Sequence, residues 1–141
     1  MGYLVDTNVF CESVKPRPNE SVLQWLSDHE RELHLSTITI AEIRRGIERL
    51  DEGKRKEDFK EWLSQINTSM KGNILGFNRS VAHVWGQMQG QLDRQGIRLA
   101  AFDGLIAATA VRYGLKVVTR NVKNFQLAPV EVVNPFPDTA D

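Results

Sequence analysis

The chain holds a single cysteine, Cys11, among 141 residues, so no disulfide can close within it. That scarcity fits a reducing compartment. No apolar run approaches the ~20 residues of a membrane span, and the first residues lack the basic and apolar stretches of a secretory signal. A soluble chain in the cytoplasm is the expectation. Charge of one sign is missing too: 18 Lys and Arg balance 18 Asp and Glu. Without a global field to draw in RNA or an acidic membrane, any nucleic-acid binding has to come from a local patch or a bound cation. The three histidines, His29, His34 and His83, are scattered without metal-ligand spacing, and none is placed as a partner for Cys11. This argues against a zinc site and against a thiolate nucleophile.

What is present is an alternation of short apolar runs and longer amphipathic ones. Strands are expected at Tyr3-Val5, Leu33-Ser36, Ile74-Phe77, Lys116-Thr119 and Val130-Val133. Helices are expected over Asn19-His29, Thr37-Leu50, Lys54-Ser69, Arg79-Gln95 and Asp103-Tyr113, with Gly114 at a helix C-terminus. The alternation predicts an α/β fold, a sandwich around a mostly parallel sheet of about five strands. One domain over residues 1–136 accommodates it, with 137–141 as a disordered tail. No internal repeat or low-complexity linker interrupts it.

In such sheets functional groups gather where strands end at their carboxyl side. Asp6 directly follows the first strand, Glu42 lies on the helix after the second, and Asp103 opens the helix before the fourth. Three carboxylates in one crevice repel each other and lose solvation, so such a site calls for a proton or a cation. The cation suited to oxygen ligands is Mg²⁺ or Mn²⁺. Each acid also has a plainer role: Asp6 and Asp103 as helix caps, and Glu42 as a solvated side chain off the apolar stripe of Ile40, Ile43, Ile47 and Leu50.

Taken together, Leu4-Val5-Asp6-Thr7-Asn8, Ala41-Glu42-Ile43 and Asp103-Gly104-Leu105-Ile106-Ala107-Ala108-Thr109 carry more than any one of them. The chain resembles the PIN-domain endoribonucleases of the VapC/FitB toxin type from Tyr3 to Phe136. That resemblance implies a PIN-like α/β/α sandwich and metal-dependent hydrolysis of RNA phosphodiesters. It implies Asp6 and Asp103 as metal ligands, with Glu42 completing the cluster and Thr7, Asn8 and Thr119 supporting it. It also implies a small cognate antitoxin, a homodimer, and contact with operator DNA only through that antitoxin. Apolar surface for such partners is expected around Val22, Trp25, Leu26, Leu50, Phe59 and Trp62.

The chain departs from the family where a fourth acid is usual. Thr119-Arg120-Asn121-Val122-Lys123-Asn124-Phe125 has asparagine at both candidate places, and just one of the two is expected to face inward. An amide offers a carbonyl oxygen without charge, so Asn121 is expected to weaken a second metal position. Arg44, Arg45 and Arg120 are the candidate RNA contacts, although Arg44 and Arg45 lie in a mixed-charge segment of the kind that usually forms a solvated helix face. Two other functions fit parts of the pattern. A catalytically weak PIN module binding RNA or protein would share the fold. A phosphoacceptor receiver domain would need an acid ending its third strand, where this chain has Phe77-Asn78.

Overall fold

The computed structural model describes residues 2–137. The chain runs β1 (Tyr3–Val5), α1 (Thr7–Phe10), a 3-10 segment (Cys11–Val14), α2 (Glu20–Asp28), β2 (Leu33–Ser36), α3 (Thr37–Glu48) and α4 (Lys54–Ser69). It continues with β3 (Ile74–Leu75), α5 (Arg79–Arg94), α6 (Ala101–Tyr113), β4 (Lys116–Val118), α7 (Val122–Phe125) and β5 (Val132–Val133). The strands form one sheet in the order β3-β2-β1-β4-β5, and each pairing is parallel. The expected parallel α/β sandwich is therefore present. Past Pro137 the expected tail lies outside the described residues.

Short apolar strands can stand at the centre because both sheet faces are covered. Successive residues point to opposite faces, and two cores result. Leu4 and Val117 join Val81, Ile106, Ala107 and Phe125 beneath α5, α6 and α7. Val5 and Val118 join Val9, Val22, Leu35 and Ile66 beneath α1, α2 and α4. Val22, expected at a partner surface, is thus fully buried, and Trp25 and Leu26 pack against the same core.

Local chemistry sets the element boundaries. Asn19, Ser36 and Asn78 cap α2, α3 and α5 by accepting from the backbone N–H groups of Val22, Ile38 and Val81. Gly114 closes α6 at φ 67°, a left-handed conformation that favours glycine. Gly104 lets α5 approach α6, since a Cβ there would sit 3.2 Å from the Trp85 Nε1. Trp85 is thereby part of the packing. The third strand ends at Leu75 rather than Phe77, because β3 is an edge strand and the Phe77 N–H turns to the Thr37 hydroxyl at 3.3 Å. Helices α1 and α7, four residues each, lie outside the expected elements. Segments that short carry no 3.6-residue periodicity to read.

Phe125 is the largest fully buried side chain and anchors α7 over the sheet. Phe125→Ala is expected to cost about 3–5 kcal/mol and to lower the melting temperature by on the order of 10 °C, measured by calorimetry.

Candidate active site

Strand β1 lies at the middle of the sheet, with β2 on one side and β4 on the other. Strand order reverses here, and the carboxyl ends of β1 and β4 open a crevice. Asp6 is the first residue beyond β1 and Thr119 the first beyond β4. The crevice is a pocket of about 390 Å³ lined by Asp6, Thr7, Asn8, Cys11, Lys15, Glu42, Asp103, Arg120 and Asn121. The three predicted acids are therefore brought together.

Asp6 is buried and held from several sides. Its Oδ1 accepts the Thr7 N–H at 2.8 Å, and its Oδ2 accepts the Thr119 hydroxyl at 2.8 Å and the Asn8 amide at 3.3 Å. Asn8 in turn accepts the Arg120 N–H at 3.1 Å through Oδ1, and the Thr119 hydroxyl oxygen accepts the Asn121 N–H at 3.0 Å. This network ties the ends of β1 and β4 together. Asp6 also occupies the N-cap position of α1, so its capping and pocket-facing roles coincide.

Glu42 is half-buried, and its Oε1 accepts the Thr7 hydroxyl at 3.0 Å. The solvated reading of Glu42 does not hold: its side chain turns to the pocket. Asp103 lies on the third residue of α6 rather than opening it, because Ala100 supplies the extended entry and Ala101 begins the helix. It therefore caps nothing, and its Oδ2 accepts the Asn124 amide at 3.2 Å. Both asparagines of the fourth position reach the site, one lining the pocket and one holding Asp103. Of the two, Asn121, at the entry to α7, lines the pocket, whereas Asn124, one helical turn on, is exposed and touches the site through Asp103 alone.

Electrostatics follow from this crowding. Burial pushes the Asp6 carboxyl above the usual carboxylate range, the Thr119 and Thr7 donors pull it back, and the charge of Asp103 raises it further. Glu42 is raised by burial and by Asp6 and Asp103, against the Thr7 hydroxyl and the positive charge of Arg45. Asp103 is raised by burial, opposed by Asn124. Burial and the neighbouring Glu42 also push the Cys11 thiol up to about 11, which leaves it protonated and inert as a nucleophile near neutrality.

The basic candidates separate. Arg120 lines the pocket. Arg44 does not: it is exposed and paired with Glu48 at 2.9 Å, one helical turn further along the outer face of α3. Arg45 reaches the site through its field on Glu42 alone. Two residues not anticipated belong here: Lys15 on the pocket wall, and buried Glu12, whose carboxylate pairs with Lys15 at 2.9 Å. Their signal in the sequence is an acid and a base three residues apart, shortly after the Asp-Thr-Asn segment. Leu50, Phe59 and Trp62 line an apolar trough of about 270 Å³ that shares Thr7, Cys11 and Glu42 with the pocket.

Among the described residues no three His, Cys, Asp or Glu side chains gather closely enough to hold a metal ion unaided. The acids nonetheless offer an all-oxygen donor set, which fits a hydrated Mg²⁺ or Mn²⁺. Mg²⁺ keeps several waters and binds through one or two carboxylates plus a substrate phosphate.

An α/β/α sandwich with an acidic pocket where its strand order reverses is the class this fold and site define. The chain belongs to the PIN domain family, whose model matches residues 3–129. It is 42% identical over 137 residues to the toxin FitB of Neisseria gonorrhoeae, covering 96% of this chain and 99% of that one. It is 34% identical over 135 residues to the VapC ribonuclease Y4jK of Sinorhizobium fredii, covering 94% and 96% of the two chains. A solved structure of FitAB bound to an IR36 DNA fragment superposes with a TM-score of 0.89 at 38% identity, covering 98% of both chains.

Proposed function

We propose that this chain is a Mg²⁺- or Mn²⁺-dependent endoribonuclease acting as the toxin of a toxin–antitoxin pair. The convergence of Asp6, Glu42 and Asp103 on one pocket carries the reading. The likeness to a toxin and to a VapC ribonuclease, each over nearly the whole chain, supports it. A divalent ion bound by Asp6 and Asp103, with Glu42 completing the set, would offset the crowded charge, lower the pKa of a coordinated water and polarise the scissile phosphate.

The side chains then have separate tasks. Asp6 is fixed by three donors, so its carboxylate keeps one orientation when a cation arrives. Thr7 engages one oxygen of Glu42 and leaves Oε2 to complete the cation's donor set. Asn124 turns Asp103, and Thr119 couples Asp6 to the end of β4. Asn121 lines the pocket with a neutral amide, so a second ion is held weakly. Asn121→Asp is accordingly expected to lower the Mg²⁺ concentration for half-maximal cleavage by about tenfold, one added carboxylate beside a divalent cation being worth that much or more. A metal titration that does not move would place the side chain outside the coordination sphere.

A small antitoxin is the partner that the likeness to a FitAB complex bound to a DNA fragment supports; operator DNA engaged through that antitoxin, and a homodimeric toxin, belong to the same reading. The trough beside the acids is where an antitoxin segment fits. Nanomolar affinity, about −12 kcal/mol, suits such a partly folding-coupled contact. Expressing the chain alone in a bacterial host is expected to arrest growth, and co-expressing the small neighbouring open reading frame is expected to relieve it. Unimpeded growth with abundant folded protein, and no cleavage of RNA, would favour a binding PIN module, the reading that the two asparagines support.

A further inference from the structure

The acidic pocket has two cations on its wall, and neither is spent on the acids. Lys15 and Arg120 both line the pocket. Among the described residues neither forms an ion pair with Asp6, Glu42 or Asp103. Each is held by something else. Lys15 pairs with Glu12 at 2.9 Å while its side chain stays half exposed. The Arg120 guanidinium lies over the Phe136 ring, 4.5 Å from its centroid, and the Arg120 backbone is tied to Asn8.

Glu12 holds the first of them. The residue is 4% exposed, and its Oε1 accepts the Asn19 N–H at 2.8 Å, fixing the loop from Lys15 to Asn19. The Lys15 ammonium holds the Glu12 carboxyl below the usual range, and Arg120 adds its charge to the same effect. A buried carboxylate is costly unless paired, and here its partners are the Asn19 N–H and Lys15, the cation that also borders the pocket. An arrangement made for stability alone would let the cations neutralise the pocket acids. This one keeps the acids free for a cation and leaves both basic side chains on the pocket wall, Lys15 half exposed, where an anion would meet them.

We propose that Lys15 and Arg120 are the phosphate-gripping pair of this site, engaging RNA phosphates beside the scissile bond, and that Glu12 is the residue that positions Lys15. The proposal rests on the ribonuclease reading for the identity of its ligand, but its test does not require cleavage. The distinction between the roles is chemical: the pair touches backbone phosphate, which carries no sequence information, whereas Glu12 acts through Lys15.

The test uses the full chain carrying Asp103→Asn, so that RNA stays intact, and a short fluorescent single-stranded RNA titrated between about 50 and 200 mM salt. Adding Lys15→Ala or Arg120→Ala is expected to weaken binding about five- to twentyfold, the loss of one charge-assisted contact. Each is expected to flatten the slope of log affinity against log salt by about 0.7, the value for one phosphate contact on a single strand. Glu12→Gln decides the positioning role. Removing a negative charge near RNA should tighten binding if only net charge matters, whereas loss of positioning weakens it by about three- to tenfold. In the Lys15→Ala, Arg120→Ala background Glu12→Gln should change nothing further. Unaltered affinity and slope in both alanine variants, or no RNA binding by the parent protein, would overturn the pair. Tighter binding by folded Glu12→Gln would overturn the positioning role. Failure of the wild-type chain to cleave RNA, with these binding shifts intact, would instead count against the ribonuclease reading alone.

Discussion

Asp103→Asn is expected to lower RNA cleavage by about 10²–10³-fold or more while the metal-free protein melts at the same temperature or higher. The two halves have one cause. Asp103 shares its pocket with Asp6 and Glu42, and burial raises all three carboxyls above their ordinary range. A group whose charged form is disfavoured by folding destabilises the fold at neutral pH, so neutralising it relieves repulsion in the metal-free site. The same charge is what a divalent cation needs. Asp103 is the better position for this test than Asp6, because Asp6 accepts from three donors and an amide there would turn N–H groups toward them. The Asn124 amide, by contrast, still finds a carbonyl oxygen at position 103 after the substitution, where it now meets the native carboxylate. Cleavage kinetics and a thermal melt on the same preparation measure both halves. A variant that unfolds, or one that cleaves at the native rate, contradicts the assignment.

Acidification should move activity and metal-free stability in opposite directions. Cleavage requires the carboxylates ionised to hold the cation, so protons compete with the metal and activity falls by about tenfold or more per pH unit along its acid limb. For stability the sign reverses. Raised carboxyl pKa values contribute stability that is fully present below the unfolded pKa and is lost as pH rises through the folded one. Metal-free protein is therefore expected to gain melting temperature as the pH is lowered from neutrality toward the ordinary carboxylate range. Glu12 has the opposite sign: its depressed pKa gives stability present above its unfolded value and lost as pH falls through the folded one. The gain consequently reverses in stronger acid. Mn²⁺ or Mg²⁺ added at neutral pH should recover the stability that protons supply at lower pH. A melting temperature that falls steadily from pH 7 downward would show that the pocket acids are not crowded in solution.

The sheet and the acids are legible in the sequence for physical reasons that do not extend to everything around them. Leu4-Val5 and Val117-Val118 are short, wholly apolar runs, which a parallel strand covered on both faces requires, and Asp6 stands where such a strand must end. Asp103 lies at the expected end of its helix, two residues in from where the helix begins. Glu42 illustrates the boundary: its helix periodicity marks it as off the main stripe, and the motif rather than the pattern draws it to the pocket. Arg44 turns away from the site because a mixed-charge segment gives no direction to its side chains, and pairing with Glu48 one turn away satisfies it. Val22 and Trp25 fall into the core because an amphipathic helix shows which face is apolar and not what covers it. Glu12 and Lys15 sit in a 3-10 segment and just past its end, too short for any period, and what makes them matter is the pocket that Lys15 shares with Arg120, far away along the chain.

That the acidic pocket is a cation-dependent ribonuclease site is tested most directly by one measurement. Protein freed of metal by chelation and dialysis is incubated with RNA, first in chelator and then with Mg²⁺ or Mn²⁺ restored, beside Asp103→Asn under the same conditions. The expected result is no cleavage in chelator, cleavage restored by either ion in the native chain, and none restored in Asp103→Asn. Full cleavage by the native protein in excess chelator would contradict it.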